Sequence, residues 1–212
     1  MKKDKLELYD LFYLFIFGCI FGWVVEVIWS YFKRHMFINH SAVVIGPFNT
    51  IYGIGSVLLT LALYKIKDDD YVKIFVTSFL TGSVIEYVTS FFMEHTLGFI
   101  PWNYSTKFMH INGRICLIYS IFWGLLGIFW IKAVYPTVVG VIKKTNHQIG
   151  NFFIKALTAF LILDFALTFC AVHRAKETEQ NIPPANKFEE YLDNHYNVDY
   201  LNNMYNNRWN RK

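Results

Sequence analysis

Four charged side chains stand inside long apolar stretches of this 212-residue chain: Glu26, Glu86, Arg114 and Asp164. A charge at bilayer depth costs about 2.5–3.5 kcal/mol on insertion scales, so each is expected to face a partner or a water-filled cavity. Two carboxylates held close together share a proton, which suits proton or cation handling. Arg114 is a permanent cation able to grip a carboxylate or phosphate through two parallel bonds. It reads as the counter-ion of Glu86 or as an anion-binding group at a helix N-terminus, with an ordinary snorkelling arginine as the alternative. Asp164 is alone in its run, with Thr158 and Thr168 near its face, and needs a partner.

The two glutamates occur in one repeated four-residue beat: Gly18, Gly22, Glu26, Ser30 and then Ser78, Gly82, Glu86, Ser90. Residues four apart share a helix face. Small residues let helix backbones approach closely inside a bilayer. The beat predicts two closely packed helices that share a polar site; the alternative is that each acid pairs with Arg114 or a Trp indole and simply holds the bundle together.

Other candidates are weaker. His35, His40, His95, His110 and Glu94 fall in two loops on one predicted side, but no pair has HExxH-like spacing, and no metal is expected. Cys19, Cys116 and Cys170 lie inside apolar runs and read as packing thiols. Asp68-Asp69-Asp70 reads as a solvated turn, and Tyr52, Tyr119, Trp102 and Tyr104 as anchors or packing groups. The chain has no Walker loop, Gly-x-Ser-x-Gly elbow or Rossmann fingerprint, so no cofactor is expected.

The elements that must position these residues are helices in a membrane. Apolar residues make up 54% of the chain and charged ones 17%, and the charges cluster between apolar runs of about 20 residues. We expect an all-α integral membrane protein with about five spans: 8–32, 46–66, 72–93, 113–134 and 152–172. Pro47 is placed in the first turn of the second helix and Pro136 just past the fourth, helping to stop it. The net charge of +4 follows the flanks of the spans, which excludes a nucleic-acid partner and leaves the lipid bilayer. Lys2, Lys3, Lys5, Lys65, Lys67, Lys73, Lys132, Lys143, Lys144 and Lys155 outnumber Lys33, Arg34, Lys107 and Arg114. The N-terminus is therefore predicted to be cytoplasmic.

The first four spans read as a duplicated hairpin. Glu26 and Glu86 align at an offset of 60, IYGIGSVLL and IYSIFWGLL at an offset of 67, and Gly46 and Gly113 open the second and fourth helices at that same offset. Such a repeat would run parallel about an axis normal to the membrane. Residues 1–172 form the membrane domain and 173–212 a polar, partly helical tail. After Pro183-Pro184, Phe188, Tyr191, Leu192, Tyr196, Tyr200, Leu201, Met204, Tyr205 and Trp209 recur at helix-like spacing. The tail lies on the bilayer surface or docks on the bundle.

Gly46-Pro47-Phe48 with Ile51-Tyr52-Gly53-Ile54-Gly55, then Trp102-Asn103-Tyr104-Ser105, then Asn112-Gly113-Arg114-Ile115-Cys116-Leu117 with Trp123-Gly124, carry a family resemblance. The chain resembles the bacterial membrane proteins catalogued as "Putative ABC-transporter type IV", or ABC transporter permeases, common in Firmicutes. That resemblance implies a multi-pass protein of the cell membrane, with a separate ATPase subunit as partner if it transports. Two positions depart from the family pattern: Asn49-Thr50 stands in place of a Cys-Pro pair, and Asn103 in place of an acid. The chain contains no ATPase domain, so ATP hydrolysis would fall to another subunit, docked through the predicted cytoplasmic loop 135–151.

Three readings follow. The first is a permease-like protein whose two hairpins enclose a polar site of Glu26, Glu86 and Arg114, serving alone, as a homo-oligomer or with a partner. The second is an intramembrane enzyme on a lipid or anionic headgroup, with Arg114 on phosphate and a glutamate as general base. The third is a structural or regulatory membrane subunit with paired acids.

Overall fold

The computed structural model describes residues 6–97, 100, 102–144 and 147–204. Its helices are α1 (Leu8–Arg34), α2 (Thr50–Leu63, extended by a 3-10 turn Tyr64–Ile66), α3 (Tyr71–Leu97), α4 (Leu117–Phe129), α5 (Tyr135–Lys144), α6 (His147–Glu179), α7 (Lys187–His195) and α8 (Val198–Met204). Among the described residues, four segments are long and apolar enough to cross a membrane: Leu8–Lys33, Tyr71–Thr96, Leu117–Lys144 and Gln148–Glu179. Thr50–Ile66 is a shorter apolar helix. The protein is an all-α membrane protein.

The chain divides into two compact units. Among described residues, the first holds 6–18 and 53–144, the second 19–52 and 147–204. In the first unit, Leu14, Leu59, Leu63, Ile74, Trp130, Ile131, Val134, Tyr135 and Val139 form a buried cluster. Helices α3 and α4 meet through glycines: a Cβ on Gly82 would enter the Trp123 side chain, one on Gly124 would strike Phe75, and one on Gly127 would strike Ser78. Their other faces are apolar and exposed, with Leu80, Val84 and Val88 on α3 and Phe122, Leu125 and Phe129 on α4. In water such faces would be adhesive; in lipid they face their solvent.

In the second unit, Val44 packs with Ala171 and Ala175 of α6 and with Leu192, Leu201 and Met204 of α7 and α8. The apolar spacing in the tail thus packs α7 and α8 onto α6. Arg174, 3% exposed, holds Asp193 by two bonds of 2.9 Å and donates to Ile182 O. Tyr205 and Trp209 lie outside the described residues, as do Lys2, Lys3, Lys5, Phe99 and Pro101.

Several boundaries differ from the sequence expectation. The second helix begins at Thr50, so Pro47 lies before it. Ser41 Oγ donates to Gly46 O at 2.6 Å, while Ala42 N bonds Phe48 O and Asn49 N bonds Cys19 O. These bonds hold 41–49 as a loop. The fourth span opens at Leu117 and runs to Lys144, so Pro136 lies inside a span. An interior proline lacks a donor and crowds the carbonyl four residues back. Here a π turn over Trp130–Val134, in which Tyr135 N reaches Trp130 O, widens the helix just ahead of it; such bulges absorb the conflict. The described residues of the expected loop 135–151 are helix α5 and the start of α6. The last helix runs from His147 to Glu179, well beyond 152–172.

Candidate functional site

In the second hairpin α3 delivers Glu86 and α4, with the segment before it, delivers its partners. Glu86 is 8% exposed. Tyr104 donates to its Oε1 at 2.8 Å and Trp123 Nε1 reaches Oε2 at 3.3 Å. Tyr104 is itself fixed on both sides: its ring stacks on Tyr119 at 4.6 Å and its N–H bonds Gly113 O at 2.7 Å. Burial, followed by the facing Glu86 carboxylate, pushes the Tyr104 hydroxyl well above the ordinary tyrosine range. It therefore stays protonated and donates.

The loop that carries Tyr104 closes on a small β-hairpin, His110–Ile111 against Ile115–Cys116. Asn112 and Gly113 take φ of 51° and 67° at its turn, and Arg114 N bonds Ile111 O. Positive φ at both central positions is the demand that makes Asn-Gly a hairpin signal. Asn103 Oδ1 accepts from Ser105 N at 2.9 Å and packs against Gly113, where a Cβ would lie 2.9 Å away. Trp102 Nε1 donates to Arg114 O, and Asn112 Nδ2 to Tyr87 OH. Trp102, Asn103, Tyr104, Ser105 and Asn112 thus build the loop that aims Tyr104 at Glu86.

Arg114 is gripped by α3. Its Nη2 pairs with Glu94, Nη1 donates to Ser90 Oγ at 3.3 Å, and the guanidinium lies over Tyr87 and Phe91 at 5.7 and 5.4 Å. Its ion pair is therefore with Glu94, and the partners recorded for Glu86 are neutral donors. The buried Arg114 Nε has no partner.

Glu26 and Asp164 belong to the second unit. Tyr52 OH donates to Glu26 Oε1 at 2.7 Å, and a Cβ on Gly22 would enter the Tyr52 side chain. Gly18 is buried in α1 within the first unit. Asp164, 2% exposed, accepts from Ile45 N at 3.1 Å, and its buried Oδ2 is unpartnered. Thr168 one turn on accepts from Val44 N, and Tyr200 donates to Val44 O. Asp164 and Thr168 thus tie the α1–α2 loop to α6.

Gly46 and Gly113 both take positive φ, 85° and 67°, and both stand four residues before a helix, at Thr50 and Leu117. Sequence reasoning missed the aromatic hydroxyls that satisfy the acids. Tyr52 and Tyr104 were legible only as packing groups, because a hydrogen bond over 18 or 26 positions has no sequence period. The signal that could reveal the loop is the Asn112-Gly113 pair, a hairpin-turn dipeptide. Among the described residues no group of three His, Cys, Asp or Glu converges as a metal site.

Long apolar helices, with Glu86 buried beneath Tyr104 and Trp123, define an α-helical integral membrane protein. The model of the family "Putative ABC-transporter type IV" matches residues 13–169, and the chain belongs to that family. No curated protein and no solved structure matches it.

Proposed function

We propose that the chain is a permease-like transporter subunit of the cell membrane, in which two repeat-related hairpins each present an acid clamped by a tyrosine. The observation that carries this reading is the matched pair Tyr52–Glu26 and Tyr104–Glu86, at 2.7 and 2.8 Å. In each case the glycine one turn before the acid lies under an aromatic side chain, Tyr52 on Gly22 and Trp123 on Gly82. Intramembrane acids mark ion and substrate paths, and an aromatic donor holds such a group without neutralising it. Arg114, fixed by Glu94 and Ser90, supplies a cation beside the same loop. The membrane domain is followed by a helical tail, and the N-terminus faces the cytoplasm because the basic residues favour that side.

ATP would be hydrolysed by a separate subunit. Co-purification from native membranes in mild detergent tests this: an ATPase subunit should accompany the protein at a fixed ratio. Recovery of the protein alone, or only with itself, overturns the ATP-driven reading.

A further inference from the structure

Three side chains of the first hairpin stand in the order of a nucleophile, its base and the acid behind it. Ser30 and Glu26 lie one turn apart on α1, and His40 comes from the loop that follows. Ser30 Oγ is 2.5 Å from His40 Nε2. On the other side of the ring, His40 Nδ1 is 3.9 Å from Glu26 Oε2, with Tyr52 holding Oε1. Asn49 Nδ2 donates to His40 O at 3.0 Å, which fixes the backbone that presents the ring.

Helical serines ordinarily donate to the carbonyl four residues back. Ser78 and Ser83 of α3 do so, to Ile74 O and Phe79 O. Ser30 instead meets an imidazole nitrogen, and Ser90, its counterpart at the offset of 60, accepts from the Arg114 cation. Only the first hairpin therefore places a base on this hydroxyl. Ser30 is 4% exposed and the Glu26 side chain 30%, so the group opens along the Glu26 side. Trp29, Phe32 and Phe37, near Ser30 and His40 in sequence, are 60%, 74% and 68% exposed, apolar surface open to lipid, from which a substrate would arrive.

We propose that Ser30, His40 and Glu26 form a hydrolytic triad acting on carboxylic esters that carry an apolar acyl chain. Ser30 Oγ bonds to the ester carbonyl carbon as its proton passes to His40 Nε2. The tetrahedral adduct expels the alcohol, which takes that proton, leaving acyl-Ser30. Water then attacks the acyl carbon, His40 takes and returns a proton, and the carboxylic acid leaves with Ser30 restored. Glu26 positions the imidazolium Nδ1–H. The 3.9 Å separation is that of a resting site; such bonds tighten when substrate is bound. The same roles recur on unrelated folds and are recognised by geometry.

The test is independent of any ATPase partner. The full chain, purified in detergent, is treated with a long-chain alkyl fluorophosphonate and the adduct is located by peptide mass. Wild-type protein should carry the label on Ser30, a result that depends on no variant. His40→Gln should slow labelling by about 100-fold or more, the usual contribution of a general base. Glu26→Gln should lower the inactivation rate constant with the probe's binding constant unchanged. An unlabelled Ser30 in the wild-type protein, wild-type labelling rates in His40→Gln, or an unchanged rate constant in Glu26→Gln would each overturn the triad.

Discussion

Tyr104 donates its hydroxyl to Glu86 across 18 positions of sequence, at 2.8 Å, and it does so from a loop locked by the Asn112-Gly113 turn. Glu86 is 8% exposed and lies on a helix whose outer face is apolar. A carboxylate in that setting relies on its donors, since water is not at hand to replace them.

Removing that hydroxyl should therefore be costly. Tyr104→Phe leaves a buried acceptor short of a donor and is expected to lower stability by about 1–3 kcal/mol. Tyr52→Phe should cost less, because the Glu26 side chain is 30% exposed and water can answer it. Paired melting curves in detergent check the order; equal losses would contradict the burial argument.

The glycine contact between α3 and α4 gives a second expectation. At Gly82 any side chain enters Trp123, and overpacking a close helix contact costs about 1–3 kcal/mol. Gly82→Leu should lower the melting temperature, whereas Gly140→Leu should not, since nothing lies within 4 Å of a Cβ there.

Arg114 should not be replaceable by lysine. One guanidinium serves Ser90 and Glu94 together and stacks over Tyr87 and Phe91, and an ammonium on a flexible stem cannot reproduce that fork. Arg114→Lys is expected to cost about 1–2 kcal/mol, read as a shifted melting curve. Glu94→Gln should recover part of the difference between the two proteins.

The tail is tied down by charge. The Arg174 guanidinium, bonded twice to Asp193, holds that carboxyl below the usual range. A depressed folded value means that the stabilisation is complete above about pH 4, the ordinary aspartate value, and fades as pH falls through the lower folded value. Hydrogen exchange in α7 and α8 should accelerate only on that acid side. Asp193→Ala removes two of the bonds to Arg174 while Glu177 still pairs with it at 3.2 Å, and should expose the same helices at neutral pH at a cost of about 1–2 kcal/mol.

The membrane class, the helical content and the family were all written in the sequence, because apolar runs and their charged flanks are local and additive. The four-residue beat set Gly22 and Gly82 on one helix face each, but that Tyr52 covers one and Trp123 the other was not in it. The limits of the helices were less local. Pro136 marks a stop by its own chemistry, yet a π turn anchored by Trp130, whose indole donates to Thr60 at 2.8 Å, carries the helix past it. Tertiary structure alone decided which donor meets which acid: Tyr104 and Trp123 on Glu86, Glu94 on Arg114, His40 on Ser30. Those pairings depend on where loops return, and a loop's path is set by turns, caps and packing from distant parts of the chain.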